Sequence, residues 1–248
     1  MYTVSVSNAL WESVWNGSVR SWYSQDIPKE LDPVESGSYL TAYSWIENDA
    51  LRTRVYYQKQ DEYIQEAASD NGKGWGKAVE PKQGFPQARS GTGLAIVPFP
   101  NTNDREAKLF YLNIRGKLMS FDHKRNATSG GSWQNQDRWF SPSISGNRHS
   151  ISNFPQTATV NHGSIPGGTH LTAILNTSGG MTLRIYFIRD GNLVEIRWNE
   201  KGGWQSWYMH DAEALGVAAV SNSNDVNIFF QTKTECLSAM GLNRLANK

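Results

Sequence analysis

The sequence has little of several features that would assign a function directly. Cys236 is the only cysteine among 248 residues, which excludes an intrachain disulfide and a thiolate metal site. The formal net charge is only +1, so there is no electrostatic case for nucleic acid or an acidic membrane surface as a partner. No apolar run approaches the roughly 18 residues of a membrane-spanning helix. We therefore expect a globular protein that binds neither nucleic acid nor membrane.

The usual catalytic signatures are also absent from the sequence. There is no G-x-S-x-G elbow, phosphate-binding loop or dinucleotide fingerprint. The five histidines show no metal-ligand spacing, so we expect neither a metal nor a cofactor. The N-terminus lacks a charged segment followed by an apolar one, which predicts no signal peptide. A chain whose leader had been removed would look the same, so an extracellular and a cytoplasmic location both stay open.

What the sequence does contain is a repeated pattern of short strands. Ten Trp and 22 Gly accompany runs of Val, Ile, Tyr and Phe that are cut by Gly, Asn and Asp. Each unit begins with an apolar run, continues with two alternating strands, and often ends in a Gly-Trp or Ser-Trp strand. The first three strands recur at 36–45, 53–58 and 63–68; at 91–99, 107–113 and 117–123; at 167–176, 183–188 and 192–198; and at 214–222, 226–231 and 236–242.

This repeat predicts an all-β fold in a single domain over residues 1–248. Up to four short strands per unit are typical of a propeller blade, and we predict a β-propeller of about five four-stranded antiparallel blades. The N-terminal unit lacks its first strand and the C-terminal unit its fourth, so the two ends would meet at a seam. They could close one ring, or exchange strands in a homodimer. Segment 141–166 does not fit the repeat, and a β-sandwich is the alternative fold.

Two of the units share a set of polar and aromatic residues at nearly the same spacing. One carries Arg54, Glu66 and Trp75; the other carries Arg184, Glu195 and Trp204, and in both the Trp follows the Glu by nine residues. An Arg and a carboxylate can share sugar hydroxyls through charge-assisted hydrogen bonds, and an indole can cover an apolar sugar face. The same pairs could equally be structural cross-strand ion pairs.

These units resemble blades of the fungal fucose-specific lectins, the Aleuria-type propellers. The resemblance implies that Arg and Glu, a nearby Trp and an aromatic three residues after the Glu hold fucose between adjacent blades. Trp198 occupies that aromatic position in the fourth unit, whereas Ser69 occupies it in the second. The other units depart further from the motif. The predicted ligand-binding residues are Arg184, Glu195, Trp198 and Trp204, with Arg54, Glu66 and Trp75 as a weaker set.

The divergence of the units favours an enzyme with one pocket over a lectin that repeats its site. Similar propellers in fungal natural-product pathways act as hetero-Diels–Alderases, and the resemblance implies a cofactor-independent pericyclase as the first hypothesis. It would orient a quinone methide and a terpene olefin, a terpenoid and polyketide pair of ligands, beside a hydrogen-bond donor. A fucose-binding lectin without catalysis is the alternative. The candidate catalytic residues are Arg184, Trp198, Lys108 and His123. The alternative locations for the pocket are the seam and the region under 141–166, the segment that contains Arg148, His149 and Phe154.

Overall fold

In the computed structural model, most of the residues that the structure describes are β-structure. The described residues are 1–27, 31–47, 49–70, 74–77, 85–99, 107–126, 130–134, 168–177, 180–199, 203–211, 214–221, 225–232 and 238–242. They form eighteen strands in five antiparallel sheets. Over the same ranges the chain contains no helix, and so none with the length and apolarity needed to cross a membrane.

The strands follow one another sheet by sheet, so that each sheet is a meander of consecutive strands. Sheet 1 contains β1 (Tyr2–Val4), β2 (Leu10–Asn16) and β3 (Ser21–Asp26). Sheet 2 contains β4 (Thr41–Glu47), β5 (Ala50–Gln58), β6 (Ile64–Asp70) and β7 (Trp75–Lys77). Sheet 3 contains β8 (Leu94–Pro98), β9 (Ala107–Leu112), β10 (Leu118–Asn126) and β11 (Gly130–Gln134). Sheet 4 contains β12 (Leu171–Asn176), β13 (Thr182–Arg189), β14 (Asn192–Asn199) and β15 (Gly203–Asp211), and sheet 5 contains β16 (Ala214–Ser221), β17 (Val226–Thr232) and β18 (Ser238–Leu242).

Local sequence explains where strands form and where they turn. The hairpin between β13 and β14 pairs Arg189 with Asn192, leaving a two-residue loop of Asp190 and Gly191. Both loop residues have positive φ values, 51° and 77°, which is the conformation that a type I′ turn requires. Asp and Gly tolerate that conformation better than other residues. The Asp-Gly dipeptide therefore suits the turn that joins β13 and β14.

The core lies between neighbouring sheets rather than inside any one of them. Four apolar clusters fill, in order, the junctions of sheets 1 and 2, 2 and 3, 3 and 4, and 4 and 5. Fully buried aromatic side chains anchor all four junctions, each contributing roughly 1.5–3 kcal/mol by its burial. They include Tyr57, Tyr56, Phe121, Phe110, Phe187 and Tyr186. Because strand side chains alternate, sheets 2, 3 and 4 each bury one face against the preceding sheet and the other against the following sheet.

The first strands of sheets 2 to 5 lie side by side. Strand β8 lies next to β4 and β12, and β12 next to β16. The turns that enter them are held together, since the Gly168 amide donates to the Gly91 carbonyl at 2.9 Å and the Tyr39 hydroxyl donates to the Gly168 carbonyl at 2.6 Å. Gly91 has φ +66° and little space for a side chain, because an added Cβ would lie 3.3 Å from the Gly168 nitrogen. The Gly at the start of the third unit thus reflects close backbone approach to the start of the fourth.

A buried amide joins sheet 2 to the segment that leads into sheet 3. The Gln58 side chain is inaccessible to solvent and donates to the carbonyl oxygens of Ala88 and Arg89, at 3.1 and 3.0 Å. Its own amide oxygen accepts from the Thr92 backbone at 3.4 Å. Each buried polar group is thereby satisfied, as a buried amide requires. The contacts hold the two sheets in one relative position, which sets the width of the cleft between them.

The all-β prediction is confirmed, and the repeat boundaries are close to the observed sheets. Sheets 2, 3 and 4 have the four strands expected of a complete unit. Sheet 1 has three, and sheet 5 has three among its described residues, at the two units expected to be incomplete. Five sheets packed in succession differ from the two facing sheets of a sandwich. Closure into one ring and the five-blade count stay predictions, and segment 141–166 lies outside the described residues.

Candidate functional site

Sheets 2 and 4 each carry an Arg, a Tyr and a Glu on one face of two neighbouring strands. In sheet 2, Arg54 and Tyr56 lie two residues apart on β5, and Glu66 on β6 is the register partner of Tyr56. The Arg54 Nε lies 3.1 Å from Glu66 Oε1. Residues two apart on a strand share a face, so this group is a direct consequence of the strand pleat.

The arrangement in sheet 4 repeats that of sheet 2. Arg184 and Tyr186 lie on β13, and Glu195 on β14 is the register partner of Tyr186. The Arg184 Nη1 lies 3.2 Å from Glu195 Oε2 and 3.4 Å from Oε1. The repeat in the sequence therefore groups each Arg with the Glu that it contacts in the structure.

Both pairs are largely withdrawn from solvent. The carboxylate side chains of Glu66 and Glu195 are 7% and 5% exposed, and their Arg partners 17% and 21%. Burial is the first cause that raises the pKa of Tyr56 and of Tyr186, and the adjacent Glu carboxylate raises each further. The two phenols therefore keep their protons at neutral pH. Each group offers cationic donors, a carboxylate acceptor and a neutral hydroxyl within one small region.

Trp75 lies on the other face of sheet 2, away from Arg54 and Glu66. Its register partner is Ser69, three residues after Glu66, and an odd offset along a strand reverses the face. The indole Nε1 donates to Glu12 Oε2 of sheet 1 at 3.1 Å. The Tyr2 hydroxyl donates to the other oxygen of Glu12 at 3.0 Å, and the Tyr2 ring meets the Trp75 ring edge-on at 5.6 Å. Trp75 therefore serves the cleft between sheets 1 and 2.

In sheets 1 to 4, the last strand carries a Trp that has the same register in each sheet. It is always paired with the residue three positions after the Glu position. The pairs are Trp22 with Trp15, Trp75 with Ser69, Trp133 with His123, and Trp204 with Trp198. The repeated motif is consequently divided between two clefts: its Arg, Tyr and Glu face the following sheet, and its paired Glu+3 and Trp positions belong to the preceding junction.

This division separates the four residues predicted for the fourth unit. Trp198 is 4% exposed and packs in the cluster between sheets 3 and 4, on the face opposite Arg184 and Glu195. Trp204 is its register partner, and the Trp204 side chain lies outside the described residues. Arg184 and Glu195 instead lie on the face that packs against sheet 5, as their neighbour Tyr186 does. The structure thus brings Arg184 to Glu195 and does not bring Trp198 to either.

The candidates of the third unit and the irregular segment offer less. Lys108 is 5% exposed, and its register partner is Asp122. His123 pairs with Ala107 on β9, but the His123 side chain lies outside the described residues. Three further candidates, Arg148, His149 and Phe154, lie entirely outside them.

Sequence reasoning missed three residues that the site contains. Tyr56 and Tyr186 were visible as an Arg-x-Tyr pattern shared by the two repeats, which strand alternation places on the Arg face. Asp70 was less visible, because its relation to Arg54 depends on register: Asp70 pairs with Arg52, the residue two before Arg54. Its Oδ1 accepts from Arg54 Nη1 at 2.9 Å.

Aromatic rings complete the polar group of sheet 2. The Arg54 guanidinium lies 5.1 Å from the centre of the Trp45 ring, within the range of a cation–π interaction. Tyr43 stacks on Trp45 with 4.9 Å between ring centres, and on Tyr56 with 6.4 Å. Such a cleft can hydrogen-bond a polyhydroxylated ligand on one side and cover an apolar surface on the other.

Comparisons of the sequence with known proteins agree on one family. Residues 1–241 match the family described as fungal fucose-specific lectin. The chain is 24% identical, over 255 aligned positions, to a fucose-specific lectin of Aspergillus fumigatus, covering 94% of this chain and 69% of that protein.

The fold is similar to those of solved fungal lectins. One is AofleA from Arthrobotrys oligospora, with a TM-score of 0.68, 16% identity and coverage of 98% of this chain. Another is the lectin of Aleuria aurantia, described as a six-bladed β-propeller with a fucose recognition mode; there the TM-score is 0.62, the identity 20% and the coverage 97%. The chain spans 64% of the length of the first and 68% of the second.

Proposed function

Because this chain belongs to the fungal fucose-specific lectin family, we propose that it is a carbohydrate-binding protein that holds an L-fucose-type sugar in the clefts between neighbouring sheets. The observation that carries the proposal is the buried Arg–Glu pair with its adjacent Tyr, present in the same register in sheets 2 and 4. Two copies of one polar group at equivalent positions of a repeat favour a shared ligand over two unrelated ion pairs.

The chemistry of the pair suits vicinal hydroxyl groups. A guanidinium donates several hydrogen bonds from one plane, and a carboxylate accepts from hydroxyls. Here the two are already 3.1–3.2 Å apart, so their orientation is set before a ligand arrives. Pre-orientation reduces the conformational entropy that these side chains lose on binding. Burial also keeps water from competing for the same groups.

The other half of the cleft comes from the next sheet. At the junction of sheets 1 and 2, Trp75 of sheet 2 reaches Glu12 of sheet 1. Trp133 of sheet 3 has the register position that Trp75 has in sheet 2, and an indole at this position of the repeat can cover the apolar face and methyl group of a 6-deoxy sugar.

Pericyclase activity, the first hypothesis from the sequence, stays a prediction together with the terpenoid ligand and the homodimer. The described clefts at Arg54 and Arg184 are built around buried ion pairs. A polar cleft of this kind favours a polyhydroxylated ligand, whose hydroxyls can hydrogen-bond to the pair, over a terpene olefin, which cannot.

Calorimetric titration of the purified chain with methyl α-L-fucoside tests the proposal. We expect millimolar or tighter binding, and weaker binding of methyl α-D-fucoside, its mirror image. Replacing both Arg54 and Arg184 by Met should abolish binding, whereas Arg115→Met, a change at an exposed turn residue, should not. Equal heats for the two enantiomers, or undiminished binding by the double variant, would contradict it. Mixing quinone methide precursor and olefin with the same preparation tests the pericyclase hypothesis, which requires altered product stereochemistry.

A further inference from the structure

The two Arg–Glu pairs differ in how many of the Arg donors are already occupied. Arg54 Nε contacts Glu66, while its Nη1 donates to Asp70 Oδ1 and to the Thr53 carbonyl, both at 2.9 Å. The Trp45 ring lies on the same guanidinium. Arg54 is thus held by two carboxylates, a carbonyl and an aromatic ring before any ligand binds.

Among the residues that the structure describes, Arg184 has fewer partners. Its Nη1 contacts Glu195, and none of these residues accepts a hydrogen bond from its buried Nε. A buried donor without an acceptor costs free energy. Arg184 is therefore held by fewer polar groups than Arg54.

A single register position accounts for much of the difference. Asp70 pairs with Arg52 in sheet 2, and the equivalent residue of sheet 4 is Asn199, which pairs with Thr182. Sheet 2 therefore has a second carboxylate where sheet 4 has a neutral amide. Asp70 also binds Arg52, with 2.8 Å between Nη1 and Oδ2, so that a second Arg holds it in place.

We propose that Asp70 is an affinity-determining residue. By accepting a hydrogen bond from Arg54 Nη1, it makes the sugar affinity of the cleft beside sheet 2 lower than it would be without a carboxylate at position 70. The inference rests on the proposed function, because it concerns the sugar affinity of the same group. A sugar hydroxyl at Arg54 Nη1 must compete with an ionised carboxylate, which is a stronger acceptor than a hydroxyl. Among the described residues, Arg184 contacts one carboxylate, that of Glu195.

The test isolates each cleft and changes only this position. In an Arg184→Gln background, which leaves the cleft of sheet 2, Asp70→Asn should strengthen methyl α-L-fucoside binding by about tenfold, the factor of one hydrogen bond to a charged group. In an Arg54→Gln background, which leaves the cleft of sheet 4, Asn199→Asp should weaken it by a similar factor. Thermal unfolding of each variant establishes that it is folded. If the Asp70→Asn chain does not fold, the Asn199→Asp substitution in the Arg54→Gln background tests the inference by itself.

The outcomes separate this inference from the function on which it rests. If the unaltered chain binds no fucoside, the proposed function fails and this inference with it. If the unaltered chain binds, but Asp70→Asn weakens binding, Asp70 is itself a sugar contact and the inference is overturned. Unchanged affinity in both backgrounds overturns it as well.

Discussion

The indole of Trp75 donates a hydrogen bond to Glu12, 3.1 Å away on the neighbouring sheet, although Glu66 of its own sheet is the Glu nearest to it in the repeat. The reason is strand geometry, since Ser69, the register partner of Trp75, is three residues beyond Glu66 and faces the other way. One unit of the repeat therefore supplies its Arg and Glu to one cleft and the Trp of its last strand to another. Each cleft requires two consecutive units.

Trp75→Phe should destabilise the junction of sheets 1 and 2 by about 1–2 kcal/mol, because it removes a donor to a carboxylate while keeping the ring contact with Tyr2. Urea unfolding measures the change. Trp22→Phe is the matched control, since Trp22 has the same position in sheet 1 but is 58% exposed; it should change stability by less than about 0.5 kcal/mol. Equal effects of the two substitutions would show that the bond to Glu12 contributes nothing.

Gly93→Ala should be far more destabilising than the same change at Gly76. A Cβ at Gly93 would overlap the Thr169 carbonyl oxygen and lie 2.7 Å from Leu171 Cβ, so the segments leading into β8 and β12 would have to separate. Overpacking of this kind costs about 1–3 kcal/mol or more. Gly76 lies in β7, and a Cβ added there has nothing within 4 Å. Thermal unfolding of both variants checks the difference, and a Gly93→Ala chain as stable as Gly76→Ala would contradict the close approach of sheets 3 and 4.

Much of the fold could be predicted from the sequence, because each strand carries its own signal of alternating apolar residues ended by a turn. The pairing of Arg184 with Glu195 also followed from the repeat. Trp198 was grouped with Arg184 and Glu195, although its side chain lies on the other face of sheet 4. Because it follows Glu195 by three residues on the same strand, the alternation of side chains could already have separated the two. For Trp75 the sequence was insufficient, since its face depends on the register across the β6–β7 turn. The role of Asp70 required that register as well.

Acid should lower the free energy of unfolding of the unaltered chain more than that of an Asp70→Asn variant. Partial burial opposes ionisation of Asp70, but hydrogen bonds from Arg54 and then Arg52 outweigh it and lower its pKa below the ordinary 3.8. A carboxyl whose pKa is lower in the folded state stabilises the fold above its unfolded pKa and loses that contribution as the pH falls through the folded value.

Because the Asp70 side chain is 42% exposed, the contribution is about 0.5–1 kcal/mol at neutral pH. Urea unfolding at pH 7 and at successive values below 3.8 should show the two chains converging in stability. A gap that stays constant into acid would show that the ionised Asp70 does not contribute.

Trp198→Phe should reduce stability without reducing fucoside binding beside Arg184. Trp198 is 4% exposed in the cluster between sheets 3 and 4, where a smaller ring leaves a cavity that costs about 2 kcal/mol. Arg184 and Glu195 lie on the other face of sheet 4, so their affinity for methyl α-L-fucoside, measured in an Arg54→Gln background, should change less than twofold. Glu195→Gln in that background is the opposite case, since it should weaken binding strongly. If Trp198→Phe instead removes binding while the chain keeps its stability, Trp198 contacts the sugar and the division of each repeat between two clefts does not hold in sheet 4.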